Sequence, residues 1–347
     1  MSSPLVTTTV PSFAQKVSEL HDRIASGSSV LILTHDYPDP DCIASGLGIA
    51  HLCSFWGISS PVVSFGGFIG RAENRAMVRY LNIEMVPFVL IDVKEFDRII
   101  MVDSFPGKGN VSLAPNIPVD AVIDHHPVPP PEEDFPFFQD IRHDLGATST
   151  IVGNYLLEAG CPIPIKLATA LFYGIKTDTG EMRRDVSFHD LECYKYLFDN
   201  IDHHLLSQIE NPERDIEFFR LLHKAGDSAV TYENLCYTHL GSVSTPDYIA
   251  EMADLFHSLD KIEWMVCSAI FKNQIFFSIR AKNVNTAGTI AEAIAKELGG
   301  SGGGHGRAAA GRVLISSSET TETKLSSFEE TVRDYFNIKN LQSKSLL

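Results

Sequence analysis

The sequence contains no Cys-x-x-Cys pair; its six cysteines (Cys42, Cys53, Cys161, Cys193, Cys236 and Cys267) are scattered. That scatter argues against a zinc ribbon or a disulfide framework and for a reducing compartment. Cations are scarce. Against 44 Asp and Glu stand 28 Lys and Arg, a net charge of −16, so no broad basic face is expected to track long DNA or RNA. A small phosphorylated ligand is still allowed, because bound divalent cations invert the local field. No apolar run approaches the ~20 residues that span a bilayer. The opening MSSPLVTTTVPSF has no basic segment before an apolar core, as a secretory leader would. Internal repeats are missing too. These absences lead to the expectation of a cytoplasmic protein with no membrane partner.

What is present suits about two domains: 347 residues, 44% hydrophobic and 21% charged. After a tail, SFAQKVSELHDRIAS reads as an amphipathic helix ending at Gly27. Apolar, β-branched runs follow at 30–35, 61–66, 96–104, 119–126 and 169–178, all read as strands. Between the first two lies the mostly apolar stretch 43–56, read as a buried crossover helix. Such alternation indicates an α/β domain with a parallel sheet flanked by helices, which binds ligands beyond the carboxyl ends of its strands. Residues 187–224 carry a charged helical pattern, read as a connection. Beyond it SAVTYENLCYTHL and VCSAIFKNQIFFSIRAK alternate like antiparallel strands, with KNQ as a hairpin turn. A helix, NTAGTIAEAIAKEL, then leads into GGSGGGHGRAAAG, and RVLISSS reads as a further strand. The Ser-Ser-x-x-Glu of SSFEETVRDYF reads as a helix start before a polar tail.

The triplet Asp-His-His occurs twice. Asp202–His204 lies in a region of helical period, where adjacent histidines point about 100° apart, and is read as ordinary helix. Asp124–His126 ends a strand of Val, Ala, Val and Ile, and Pro127 forbids simple continuation. This first triplet has company: His35, Asp39 and Asp41 on the loop THDYPDPDC, Asp103 after the third strand, and Asp178 after the run 169–178. A lone Asp at a strand end is more often a cap. Together, four carboxylates and two or three imidazoles at one sheet edge repel unless cations or protons neutralise them. Two divalent ions would balance four negative charges, and mixed Asp/His ligation suits Mn²⁺ better than Mg²⁺ or Ca²⁺.

HDYPDPD, VDS, IDHHP and KTDTG resemble, in order, the four motifs of the DHH phosphoesterase superfamily, and GGSGGGHGRAAAG resembles the signature of its DHHA1 domain. The resemblance covers about 15–335 and is closest to the short stand-alone nanoRNase/pAp-phosphatase group. Tyr37 departs from it, standing where the family usually has Asn or Arg. The resemblance implies that His35 and Asp39 hold one metal, that Asp41, His125 and Asp178 hold the other, and that Asp103 bridges both. It implies two divalent cations, Mn²⁺ first, that activate a bridging water for in-line attack on phosphorus. Asp124 would orient its neighbouring histidine, and His126 would meet the phosphate or leaving oxygen as donor or general acid. In the glycine run a linker and a dinucleotide fingerprint compete with a phosphate-binding backbone nest; the resemblance selects the nest, with Gly302, Gly303 and Gly304. His305 would contact the far nucleotide, Arg280 a terminal phosphate, Arg307 would add a cation, and Asn283 would touch ribose or phosphate. Residues 146–152 (GATSTIV) read as a helix start capped by its own hydroxyls.

The expected organisation is a tail (1–14), a DHH catalytic domain (15–200), a helical linker (201–227), a smaller α/β DHHA1 domain with a mixed sheet (228–338) and a second tail (339–347). The expected activity is two-metal hydrolysis of short oligoribonucleotides or linear or cyclic dinucleotides to 5′-mononucleotides. The alternatives are a 3′-phosphoadenosine 5′-phosphate phosphatase and a non-catalytic nucleotide-binding scaffold. Expected partners are a small nucleotide or short RNA and no long nucleic acid, with a homodimer allowed.

Overall fold

A computed structural model describes residues 11–25, 27, 29–127, 137–316 and 319–347, with the His305 side chain outside that set. The chain divides into two units, Met1–Pro212 and Glu213–Leu347.

The first unit begins with α1 (Phe13–Ile24), whose Ser12 cap accepts the Gln15 amide and whose Phe13, Val17, Leu20 and Ile24 form one buried stripe. Most of the expected tail 1–14 lies outside the described residues. Six strands form one sheet: β1 (Val30–Leu33), β2 (Val62–Phe65), β3 (Val86–Pro87), β4 (Arg98–Val102), β5 (Ala121–Asp124) and β6 (Phe138–Ile141). They lie in the order β3-β2-β1-β4-β5-β6 and every pair is parallel. VLIL in β1 and AVID in β5 are buried throughout, as strands covered on both faces must be. Strand order reverses between neighbours β1 and β4, which opens a crevice beyond their carboxyl ends.

Five helices complete this unit: α2 (Pro40–Phe55), α3 (Ala72–Leu81), α4 (Thr148–Glu158), α5 (Ile165–Asp178) and α6 (Phe188–Phe198), with a short α7 (His203–Glu210) closing it. The expected crossover helix is α2, buried on most faces between the sheet and helices α4 and α5. The run 169–178 is not a strand. It is the greater part of α5, with Leu167–Ile175 all buried. A helix enclosed on every side shows no amphipathic period, so an apolar run imitates a buried strand.

The second unit holds α8 (Ile216–Ser228), β7 (Val230–Tyr232), β8 (Leu235–Ser242), α9 (Asp247–Phe256), β9 (Trp264–Phe271), β10 (Gln274–Ala281), α10 (Ala287–Glu297), β11 (Ser301–His305), β12 (Ala308–Leu314), α11 (Thr321–Tyr335) and β13 (Lys344–Ser345). Its sheet runs β11-β12-β10-β9-β8-β7-β13 and is mixed, β8 and β9 being parallel. The hairpin at KNQ forms as expected: Lys272 and Asn273 both take positive φ, the mark of a two-residue turn that matches strand twist. The stretch expected as a linker is shared, α7 lying in the first unit and α8 in the second. Two expectations at the C-terminus fail. Thr320, not a serine of SSFEE, caps α11, and the end pairs with β7 through β13 instead of trailing as a tail.

Candidate metal centre

Each element delivers its site residue at an end. Past β1, His35 leads to Asp39, which caps α2 by accepting the Cys42 amide (3.0 Å), with Asp41 in the first turn. Past β4, Asp103 is buried at φ 53° and its amide donates to the Ile123 carbonyl (2.8 Å). Asp124 closes β5 and is followed by His125 and His126. Asp178 is the last residue of helix α5 rather than of a strand. All six expected metal ligands therefore gather at the crevice where strand order reverses.

The histidines are oriented by bonds through Nδ1, which His35 gives to the Asp36 carbonyl (2.9 Å) and His125 to the Leu145 carbonyl (3.2 Å). That leaves each Nε2 as the inward, electron-pair-bearing atom. Asp103 lies between them. Its Oδ2 is 3.6 Å from His35 Nε2, and its Oδ1 is 3.6 Å from His125 Nε2. On the first side Asp39 Oδ1 is 3.8 Å from His35 Nε2; on the second Asp178 Oδ2 is 3.0 Å from His125 Nε2. Despite that short approach, the buried His125 Nε2 has no hydrogen bond of acceptable angle. A buried ring nitrogen facing two carboxylates without a hydrogen bond fits a cation ligand. Donor atoms of Asp103, His125 and His126 lie within 4.8 Å of one another, as do those of Asp41, His125 and Asp178, and those of His35, Cys42 and Asp103. Burial pushes the Cys42 thiol up to about 12, which sets it apart from the imidazole and carboxylate donors around it.

Charge crowding is severe without cations. Burial, then Asp103 and Asp178, hold Asp41 well above the ordinary carboxylate range. Burial also raises Asp178, against the pull of His125. Burial disfavours charge on His125, yet Asp178, Asp103 and Asp41 carry it up to about 10. Hydrogen bonds to Asp103 and Asp124 carry His126 up to about 9. Protons thus occupy the role that the donor set suits to divalent cations.

Asp124 orients His126 rather than His125, accepting both its Nδ1 (2.9 Å) and its amide (3.0 Å) on Oδ1. The expected hydroxyl capping of α4 is replaced. Asp41 caps that helix, taking the Thr148 amide on Oδ2 and the Ser149 amide on Oδ1 (both 2.8 Å), where the helix field favours an anion. Gly174 permits this close assembly, since a Cβ there would lie 2.5 Å from Ser149 Oγ. Two residues escape the sequence reading. Thr148 donates its hydroxyl to Asp103 Oδ1 (2.9 Å), so a hydroxyl of the GATST stretch read as capping serves the site instead. Lys108 Nζ reaches Asp124 Oδ2 at 3.5 Å, and nothing in its loop signals that.

The remaining candidates lie elsewhere. Asp202 caps α7, its Oδ1 taking the amides of His204 (2.9 Å) and Leu205 (3.0 Å), and both histidines are exposed. In the second unit the glycine run is no nest but edge strand β11, paired to β12. Its glycines seat α10: a Cβ on Gly302 would lie 2.5 Å from the Ala291 carbonyl oxygen, and one on Gly288 would lie 2.3 Å from that of Gly304. Gly303 faces open space. His305 ends β11 with its side chain outside the described set, and Arg307 follows at the exposed hairpin tip. Arg280 is buried and turned inward, paired with Asp254 and bonded to Ser278 Oγ (2.7 Å) and the Ile279 carbonyl (3.0 Å). An outward phosphate grip from Arg280 meets donors already engaged. Asn283 donates to Glu263 (2.5 Å).

A site of this kind, at the strand-order reversal of a six-stranded parallel sheet, stands with a recognisable domain pair. Residues 29–175 match the DHH family N-terminal domain and 232–337 match the DHHA1 domain. The chain belongs to the DHH family, with a DHHA1 domain behind the DHH domain. It is 35% identical over 288 residues to an uncharacterised protein of Methanocaldococcus jannaschii, covering 82% of this chain and 58% of the relative. It is 27% identical over 152 residues to a probable manganese-dependent inorganic pyrophosphatase of Enterococcus faecalis, 44% of this chain and 48% of that one. The chain thus spans about half the length of these curated relatives. Among solved structures, an exopolyphosphatase-related protein from Bacteroides fragilis shares the fold, with a TM-score of 0.74 at 17% identity over 93% of this chain and 97% of that one.

Proposed function

We propose that the protein is a two-metal phosphodiesterase that hydrolyses very short oligoribonucleotides or dinucleotides to 5′-mononucleotides, with Mn²⁺ as its metal. The observation that carries this reading is Asp103, whose two oxygens face different histidines, 3.6 Å on each side. A carboxylate so placed suits a bridge, with His35 and Asp39 on one side and Asp41, His125 and Asp178 on the other. When bound, a pair of divalent ions supplies charge neutralisation at the phosphate and a hydroxide near neutral pH.

The chain's own groups do the rest. Leu145 and the Asp36 carbonyl fix the ring planes of His125 and His35, and Thr148 holds Asp103 Oδ1 in place. Asp124 keeps a proton on His126 Nδ1, and His126 Nε2 is the ring nitrogen this reading assigns to the substrate. Cleavage breaks the bond from phosphorus to the 3′ oxygen while a new bond forms to the attacking water oxygen. The leaving oxygen takes the proton carried at His126 Nε2, and a 5′-phosphate remains on the released nucleotide.

A second reading, hydrolysis of a phosphomonoester or of pyrophosphate, is favoured by the pyrophosphatase relative, whose likeness spans 44% of this chain. A panel separates the two: pApA, pGpG, cyclic di-AMP, cyclic di-GMP, 3′-phosphoadenosine 5′-phosphate, a five-nucleotide RNA and pyrophosphate, each with Mn²⁺. The phosphodiesterase reading expects the highest kcat/KM on a dinucleotide. It fails if the monoester or pyrophosphate is turned over far faster than every dinucleotide.

A further inference from the structure

Tyr37 sits two residues past His35 and two before Asp39, and the cleavage chemistry does not use it. It is 57% exposed at φ 57°, a left-handed conformation uncommon for a bulky residue. Its ring stands edge-to-face against Phe68, itself 37% exposed, with centroids 5.1 Å apart and planes at 85°. Its hydroxyl makes no hydrogen bond to the described residues.

The two loops bearing these rings are drawn together by specific contacts. The Tyr37 amide donates to the Gly66 carbonyl (3.0 Å). A Cβ on Gly67 would lie 2.7 Å from Tyr37 Cε1, and one on Gly66 would collide with the Asp36 carboxylate. Glycines at both positions therefore let loop 66–71 lie directly on the loop of the metal ligands. Asn74 tightens the junction by donating to the Pro38 carbonyl (3.3 Å).

Residues that closely follow each ring in the chain line a pocket of about 310 Å³: Asp39, two positions past Tyr37, and Arg71, three past Phe68, though neither ring itself does. The candidate metal ligand Asp178 also lines it, with Glu73, Asn74, Tyr173 and Arg184. Arg184 is braced against the end of α5, its Nε and Nη2 donating to the Asp178 carbonyl (3.1 and 3.0 Å). With Nε and Nη2 of Arg184 turned to that carbonyl, the two guanidinium groups act on an anion approaching the acidic cluster mainly through their positive charge, and a phosphate is an anion of the charge they attract. An exposed aromatic pair beside a phosphate position suits a flat heteroaromatic ring, because stacking is tolerant of base identity and needs no hydrogen-bond code.

We infer that Tyr37 and Phe68 form a nucleobase-stacking ledge in the first unit, beside a phosphate anchor made by Arg71 and Arg184. The ligand class is a nucleoside phosphate, and as a specificity device for cleavage the ledge rests on the phosphodiesterase reading. It favours base-bearing phosphates over bare ones, and so disfavours pyrophosphate. Tyr37, at the position where the chain departs from related motifs, is then a specificity-determining residue.

The test compares AMP with ribose 5-phosphate, which share the phosphate and differ by the base, using calorimetric titration in Mn²⁺. Wild-type protein should bind AMP more tightly. Tyr37→Ala should weaken AMP binding by between about 5- and 150-fold, the worth of one stacked base, and bring it toward the affinity of ribose 5-phosphate. Tyr37→Phe should retain the wild-type preference, and Phe68→Ala, on the opposite loop, should lose part of it. Equal losses for both ligands in Tyr37→Ala would mean that Tyr37 merely shapes the loop, and would overturn the ledge. So would wild-type protein that shows no preference for AMP, or a preference that survives Tyr37→Ala intact. If the base-specific loss is seen but no dinucleotide is cleaved, the phosphodiesterase reading falls and the ledge stands. If dinucleotides are cleaved without that loss, the ledge falls alone.

Discussion

Asp124–His126 and Asp202–His204 share not only their three residues but also a hydrogen bond. In each, the aspartate Oδ1 accepts the amide two residues on, at 3.0 and 2.9 Å respectively, the local turn that Asp favours. What differs is the setting. The first aspartate emerges from a fully buried strand one place from the sheet's point of reversal, beside β4, and its histidines face Asp103 and Asp178. The second caps a surface helix, and its histidines face solvent. The same local geometry becomes a candidate reactive centre in one place and a helix start in the other, and tertiary surroundings alone decide which.

The largest effect that would sharpen this contrast is on turnover. His125→Ala should lower kcat/KM by at least about 100-fold, since even residues that only support metal ligands reach that loss, and should lower Mn²⁺ content measured by elemental analysis. His203→Ala and His204→Ala should stay within twofold of wild type on both measures. An equal loss in the second triplet, with folding preserved, breaks the contrast.

Next comes Asp124→Asn. Removing the anion that holds the His126 proton should cost about 10- to 100-fold in kcat and move the alkaline limb of the pH profile downward. Asp202→Asn, which preserves a capping oxygen, should move neither.

Charge balance gives a third, smaller effect. In chelator-stripped protein the folded pKa values of His125 and His126 stand at about 10 and 9, above the unfolded value. Their contribution to stability is full below the unfolded pKa and is lost as pH rises through the folded values. The raised carboxyls of Asp41 and Asp178 act in the same direction, losing stability once pH exceeds the unfolded carboxylate value. Stripped protein should therefore melt at progressively lower temperature from pH 6.5 to 10. Mn²⁺ at a hundredfold excess over its Kd should restore about 2.7 kcal/mol for each ion bound. A melting temperature indifferent to Mn²⁺ would count against a shared cation site.

The smallest effect belongs to the second triplet. Asp202→Ala should cost about 1 kcal/mol in denaturant unfolding through loss of the α7 cap, with kcat/KM unchanged.

The parts of the molecule that were legible in the sequence are those where one physical cause dominates. VLIL and AVID read as strands because burial on both faces leaves only apolar side chains, and the loops carrying His35 and His125 were placed at one sheet edge because they follow those strands. Residues 169–178 misled for the same reason in reverse, being enclosed by helices until no period showed. The α4 start was located but its partner was not. Asp41 reaches it across more than a hundred residues, and only the fold brings them together. Arg280 shows the other limit: its pairing with Asp254 on α9 leaves no trace in the strand that bears it.

The left-handed backbone of Asp103 has a practical consequence for trapping substrate on an inactive protein. Aspartate and asparagine tolerate that conformation better than alanine or any larger side chain. Asp103→Asn would keep the turn after β4 and an oxygen that can still accept the Thr148 hydroxyl, while removing the negative charge between the two histidines. Asp103→Ala would confound lost charge with a strained backbone, and Asp103→Gly would loosen the turn altogether. For soaking or co-crystallising an uncleaved dinucleotide, the asparagine variant is the one whose silence could be read as chemistry alone.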